Sequence, residues 1–249
     1  MIGPMAPGVT RAHHQFDAIS PARAIDGIAA QMREMIASGR LKPGDRLPAE
    51  RDLAGRLNVS RNTLREALRA LEHAGIIEMR KGATGGAFVL PGSPGAIVNG
   101  LSDLYNLGAI TPQQLTESRL WMNDIVVRIA CERATDDDFA ALDANVQAAT
   151  AAHEAGRFDE RQRLHREFHV LLARATRNPV VAITMEGIMG VFGRFIGQIG
   201  PSENPWTLPS RKRFMQHLRA RDADAAVMEM AKHLKRLHSK YLALWTERQ

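Results

Sequence analysis

Two groups of side chains in this 249-residue sequence have the types and spacing to do chemistry. The first is Ser60, Arg61, Asn62, Thr63 and Arg65, which open a short amphipathic period carried by Leu64, Ala67, Leu68 and Leu71. Arg61 and Arg65 lie four apart, so a helix puts them on one face, and a guanidinium fork can donate two hydrogen bonds to a guanine edge in the major groove. Ser60 and Thr63 suit phosphate oxygens. Arg51, near the start of the preceding period, is placed to reach the DNA backbone or a base, and Lys81-Gly82, in a glycine-rich turn, to enter a minor groove. Any one of these arginines taken alone reads more simply as part of a solvated face; their order along the chain is what makes them a set. The second group is His165 and His169, again four apart and on one face of a predicted helix, as a metal-binding pair would require.

The elements that must position the first group follow from periodicity. Ile25, Ile28, Ala29, Met32 and Ile36 mark a helix ending near Gly39; Leu53, Ala54 and Leu57 mark a short one broken at Asn58. Ser60 is a good N-cap for the next, because its hydroxyl can accept from an orphan backbone N–H, and Gly75 stops that helix. Residues 76–80 and 87–90, joined by a glycine-rich turn, read as a two-stranded hairpin. Helix, short helix, Ser-capped basic helix and hairpin in this order make a winged helix-turn-helix, whose second short helix enters the major groove. The Gly-Gly pair at 85–86 is a wing turn and not a phosphate loop, since no Gly-Lys-Ser/Thr follows it. Residues 1–20 read as a flexible tail, 21–92 as the DNA-binding domain, 93–103 as a linker and 104–249 as an all-α antiparallel bundle, with helices near 112–134, 136–153, 157–175, 179–199, 208–220 and 222–245. The fold class expected is mainly α.

Composition narrows the partners. Apolar residues make up 45% and charged residues 24%, ordinary values for a globular chain. The net charge is +6, and residues 1–92 carry 13 Lys and Arg against 9 Asp and Glu, so most of the excess sits in the first third, as a polyanion-binding region requires. The single Cys131 permits no internal disulfide and reads as a buried thiol in a reducing compartment. No apolar run approaches the roughly 18 residues of a membrane span, and no signal-peptide core opens the chain. These features lead us to expect a cytoplasmic protein with no membrane partner.

Leu47-Pro-Ala-Glu-Arg-Asp-Leu-Ala54, Asn58-Val-Ser-Arg-Asn-Thr-Leu-Arg-Glu-Ala-Leu68 and Leu71-Glu-His-Ala-Gly-Ile-Ile77 resemble the winged-helix domain of the GntR family nearly residue for residue. The resemblance puts the family's DNA-contacting positions on Arg51, Ser60, Arg61, Arg65, Lys81 and Gly82. Asn58 stands where the family often has glycine, an exchange that asparagine's tolerance of left-handed backbone permits. Glu117-Ser-Arg119, His165-Arg-Glu-Phe-His169 and the stretch from Arg221 to Leu234 resemble the FadR-type (FCD) effector-binding and dimerisation domain. The resemblance implies a homodimer on palindromic operator DNA, most often a repressor released by a small metabolite, and no enzyme.

Many members of that group hold a divalent metal through an Asp or Asn and a His four apart, with two later histidines 22 residues apart. Here His165 stands at the carboxylate position, and counting back 22 from His233 reaches Arg211, which keeps its proton and cannot ligate a cation. The reading preferred on these residues is metal-free: Arg211, with Arg119, receives an anionic effector, an organic or sugar acid, in a pocket also formed by His165, His169 and His233. The alternatives are a zinc-like ion on His165, His169 and His233 completed by water, and histidines that merely flank the core stripe Leu164, Phe168 and Leu171. A metalloenzyme built on the same histidines would need a general base, and Glu167, the nearest carboxylate, points off that face. Trp121, Trp206, Trp245, Phe192, Phe195 and Phe214 read as core or dimer contacts, and His217 and His238 as surface residues.

Overall fold

The computed structural model describes residues 24–82, 85–92 and 95–248; the expected tail at 1–20 lies outside them. The chain divides into two compact units that part between Ala96 and Ile97.

The first unit contains α1 (Ala24–Ala37), α2 (Glu50–Arg56), α3 (Arg61–His73), β1 (Ile77–Arg80) and β2 (Gly86–Val89). Ile28, Met32 and Met35 of α1, Leu53 and Leu57, Leu64, Leu68 and Leu71 of α3, and Ile77 with Val89 form one core. The buried stripe of α1 is turned slightly from expectation: Met35 is fully buried, whereas Ile25 is 40% exposed and Ile36 only half-buried. α2 and α3 meet at a tight turn in which Asn58 adopts φ 51°, the left-handed conformation that asparagine tolerates better than most non-glycine residues. β1 and β2 pair antiparallel from Ile77 opposite Val89 to Arg80 opposite Gly86. The segment read as a mere connector, 41–48, does more. Gly44 and Leu47 donate backbone hydrogen bonds to Val89 and Ala87, and Asp45 accepts from Val89, so the connector covers the second edge of β2, which would otherwise present unpaired backbone groups.

The second unit is helical: α4 (Gly95–Asn106), α5 (Pro112–Arg133), α6 (Asp136–Glu154), α7 (Phe158–Arg174), α8 (Pro179–Ile199), α9 (Thr207–Arg219) and α10 (Ala223–Thr246). Local chemistry sets the ends. Thr111 and Gln114 form a reciprocal capping box on α5, Asn178 Oδ1 accepts from the Val180 N–H, Asp222 Oδ1 accepts from the Ala225 N–H, and Gly200 leaves α8 at φ 79°. Phe168, Phe195, Phe214, Leu172 and Leu234 are among the residues that fill the core.

Two expectations are corrected here. Most of the supposed linker, from residue 95 on, is α4, and its reason is tertiary. Leu101, Ile97 and Val98 lie over Gly187 and Gly190 of α8 so closely that an added Cβ would stand 2.9 Å from Leu101 Cδ1 and 2.8 Å from Val98 Cγ1. Tyr105 Oη also donates to Gln198 Oε1 at 2.9 Å. In addition, α8 is by length and composition apolar enough to cross a membrane, contrary to the expectation that no segment approaches this. Its Met185, Ile188, Phe192, Phe195 and Ile199 are buried in the helical core, which accounts for their character without a bilayer.

Candidate functional site

The residues expected to face DNA lie on α2, at the start of α3 and in the turn after β1. Ser60 caps α3, its Oγ accepting from the Thr63 N–H at 3.1 Å and lying 2.8 Å from Thr63 Oγ1. With the helix started there, Leu64, Ala67, Leu68 and Leu71 turn into the core, which leaves Arg61, Asn62 and Arg65 exposed beside Ser60, with Thr63 half-buried. Arg65 Nε donates to Glu50 Oε2 at 2.8 Å, an exposed ion pair that aims the guanidinium rather than adding much stability. Arg51 is exposed and stands 3.6 Å from Asp52. Lys81 and Gly82 are exposed at the turn after β1; Gly82 has φ 105° with open space where a Cβ would be, a conformation that favours glycine and lets backbone approach closely. Arg46 escaped the sequence reading. It bonds the Gly85 carbonyl, and together with Arg80 it flanks the Phe88 ring, the two guanidinium carbons lying 5.9 and 4.2 Å from the ring centre. The signal was its place opposite Phe88 in an isolated bridge, which only pairing reveals.

In the helical unit Arg119, His165, His169, Arg211 and His233, drawn from α5, α7, α9 and α10, come together. Arg119 and Arg211 are 4% and 5% exposed. Asn123 Nδ2 donates to the Arg119 carbonyl at 2.8 Å, which turns its Oδ1 towards His169 Nδ1 at 2.7 Å. Nδ1 therefore carries the hydrogen, and Nε2 accepts from Arg119 Nη2 at 2.9 Å. Arg211 lies over the Phe168 ring at 3.5 Å and Arg119 over the Phe192 ring at 4.1 Å. Burial pulls Arg119 down to about 10 and Arg211 to about 9, and both still hold their charge at neutral pH. Arg119 Nε and Nη1, Arg211 Nη1, both ring nitrogens of His233, His238 Nε2 and the Trp206 indole N–H are buried without a partner. His165 borders a cavity of about 20 Å³ with Arg161, Gln162, Asn204 and Thr207, room for about one water.

This geometry does not fit the metal alternative on His165, His169 and His233. Both ring nitrogens of His169 are engaged, a fixed guanidinium shares the cluster, and among the described residues no group of three His, Cys, Asp or Glu is arranged to hold an ion. Glu167 is turned to Arg163, at 2.8 Å. His238 is corrected as well: it is 5% exposed, on the buried α10 stripe with Met230, His233, Leu234, Leu237 and Tyr241. That spacing was visible in the sequence and would have placed it inside. Asn123 and Trp206 gave no such signal, because their roles depend on partners from other helices.

Desolvation, reinforced by the neighbouring arginines, holds His165 near 3 and His233 near 2, against an ordinary 6.5; His238 is lowered to about 3 in the same way, and His169 is also pushed well down. Above pH 6.5 these rings are neutral folded or unfolded and cost nothing. As pH falls below 6.5 the unfolded chain takes up protons that the folded chain refuses, so stability drops by up to about 1.4 kcal/mol per pH unit for each ring, until the folded values are reached. Urea midpoints of the helical transition should therefore fall steeply between about pH 6.5 and pH 4.5, and a flat profile there would mean that these rings are solvated.

Comparison with known proteins agrees with this architecture. Residues 24–89 match the family described as bacterial regulatory proteins, gntR family, and residues 114–236 match the FCD domain. An HTH-type transcriptional regulator of Bacillus subtilis (strain 168) is 30% identical over 84% of this chain and 85% of its own length. The Exu regulon transcriptional regulator of Escherichia coli (strain K12) is 30% identical over 90% of this chain and 81% of its own. A solved GntR structure from Streptococcus agalactiae, 23% identical, covers 87% of this chain and 99% of its own with a TM-score of 0.66, which establishes the shared fold. With a capped basic helix and wing in one unit and an FCD helical unit in the other, the chain belongs to the GntR family of DNA-binding transcription regulators.

Proposed function

We propose that this protein is a homodimeric repressor that holds a palindromic operator through the leading residues of α3 and releases it when a small organic or sugar acid enters the Arg119–Arg211 cluster. The observation that carries the effector half is the burial of two guanidiniums, Arg119 and Arg211, neither of which forms an ion pair with an acidic side chain among the described residues. Uncompensated buried cations are expensive, and an acidic ligand offsets that cost. Arg51, Ser60, Arg61, Asn62, Thr63, Arg65, Lys81 and Gly82 form the DNA side; Arg119, His165, His169, Arg211 and His233 form the effector side. DNA as the partner implies a place in the cytoplasm.

Self-association is supported by the apolar groove of about 440 Å³ between α4, α5 and α8, bordered by Trp121 and Leu101, with Trp121 66% and Leu107 81% exposed. Large apolar side chains left this open are typical of contact surfaces. Trp121→Asp should leave the fold intact and shift sedimentation from dimer towards monomer.

A gel shift on the protein's own upstream region tests the whole. Binding should weaken steeply with salt, as phosphate contacts require, and should be relieved by saturating acid with a coupling of about 1–3 kcal/mol. Chelator should change neither binding nor release. Release that depends on added metal, or DNA binding indifferent to every acid offered, would overturn the effector assignment.

A further inference from the structure

The buried cluster is more specific than an anion site in general. We propose that it recognises a compact ligand carrying two anionic groups, a small dicarboxylate, with one group on Arg119 and the other on Arg211. This rests on the effector reading above and adds the charge count.

The count comes from the cluster's own balance. Arg119 commits one nitrogen, Nη2, to His169 and keeps Nε and Nη1 unpartnered; Arg211 keeps Nη1 unpartnered. These are separate donor sets on α5 and α9, each guanidinium backed by its own ring, Phe192 for Arg119 and Phe168 for Arg211. The ring contacts cover a face of each group and leave the in-plane N–H edge, which is the edge that meets a carboxylate. Of the acids near the two arginines along the chain, Glu117 and Glu203 are exposed, and Glu229 is committed elsewhere: it accepts from Arg213 Nη2 at 2.8 Å and from Ser210 Oγ at 2.5 Å. His165, His169, His233 and His238 stay neutral and add no positive charge. Arg161, at the edge of the cluster, is taken up by His153 Nδ1 and the Ser202 carbonyl. Among the described residues, then, two fully enclosed positive charges have no ion pair with a negative one, and a monoanion would leave one of them uncompensated.

The rest of the unmet hydrogen-bonding capacity agrees. His233, neutral with both nitrogens free, can supply a further donor to a ligand rich in acceptors. Ser202 Oγ and Asn204 Oδ1 are also without partners, on the segment between α8 and α9 that borders the site. The cavity of about 20 Å³ on the His165 side, lined by this segment and by neither arginine, cannot admit a di-acid as it stands, so for a di-acid to reach the two arginines this segment must give way, and its unpaired groups are what the incoming ligand can satisfy.

The test pairs each di-acid with its own monoamide, which removes one charge at constant size. Malonate, succinate and glutarate, each against malonamate, succinamate or glutaramate, are titrated into the full-length protein by calorimetry at fixed ionic strength, with and without chelator. At least one di-acid should bind roughly tenfold or more tighter than its monoamide, the factor expected from one further charge-assisted contact, and chelator should not alter it. Arg211→Met should bring the di-acid to the affinity of the monoamide, and Arg211→Lys, which keeps the charge, should keep part of the preference. Equal binding of acid and monoamide, with both lost in Arg211→Met, overturns the two-charge inference and leaves the acidic-effector reading standing. No binding by any of the six while a larger monocarboxylate, such as a sugar acid, still releases the operator likewise overturns it alone. No binding by any acid overturns both. If Arg211→Met fails to fold, the wild-type comparison decides by itself.

Discussion

Replacing Arg61 by alanine should weaken operator binding by about 1–3 kcal/mol, roughly 5- to 150-fold, while leaving the fold untouched. The reason is positional. Arg61 is the first residue of α3, immediately after the Ser60 cap, and it is exposed, so its removal costs no core packing and the whole effect falls on the DNA. Arg65→Ala should behave similarly, with a difference: its guanidinium is already paired with Glu50, so Glu50→Gln should change the affinity too, by freeing or misdirecting it. The measurement is a salt-resolved titration on operator and on unrelated DNA. A base-reading arginine lowers the preference for operator, whereas a phosphate-contacting one lowers both affinities together and flattens the salt dependence. Unchanged affinity in both variants would remove α3 as the recognition helix.

The largest stability effect is expected at Phe168. Its ring is fully buried, packs edge-on against Phe214 at 5.9 Å and His169 at 6.0 Å, and has the Arg211 guanidinium 3.5 Å above its centre. Phe168→Ala should cost about 3–5 kcal/mol, a large share of the roughly 5–15 kcal/mol that keeps a typical domain folded. In urea the helical transition should move to lower concentration with its slope preserved. Phe168→Leu, which keeps most of the volume and loses the aromatic face under Arg211, should lie between. Met228→Ala, at a side chain mostly in solvent and away from the α4–α5–α8 groove, should leave the midpoint nearly unchanged. A loss below 1 kcal/mol at Phe168 would mean that the ring is not central to the core.

Stability and recognition separate in these two predictions because the chain separates them: α3 buries its leucine stripe and exposes its leading arginines, while α7 buries residues that bear on both the core and the cluster. Only the first arrangement follows from periodicity. A helix whose apolar residues recur every three or four positions must expose the intervening ones, so Arg61 and Arg65 were placed before any packing was known. His169 also followed from its spacing, but its chemistry did not. Whether that ring could bind an ion turned on Asn123 and Arg119, which are 46 and 50 residues away along the chain.

Local pattern thus determined the mainly α composition, the ends of α5 to α10 within a residue or two, the winged order of the first unit and the exposed basic face, since caps, glycine stops and apolar periods act within a few residues of themselves. Packing between distant segments decided the rest: the helix at 95–106 in place of a linker, the connector that covers β2, the burial of His238, and two arginines enclosed with no ion pair to a carboxylate among the described residues. Those depend on what lies across the core, where the dielectric is low, partners come from other helices, and no spacing in the sequence records who meets whom.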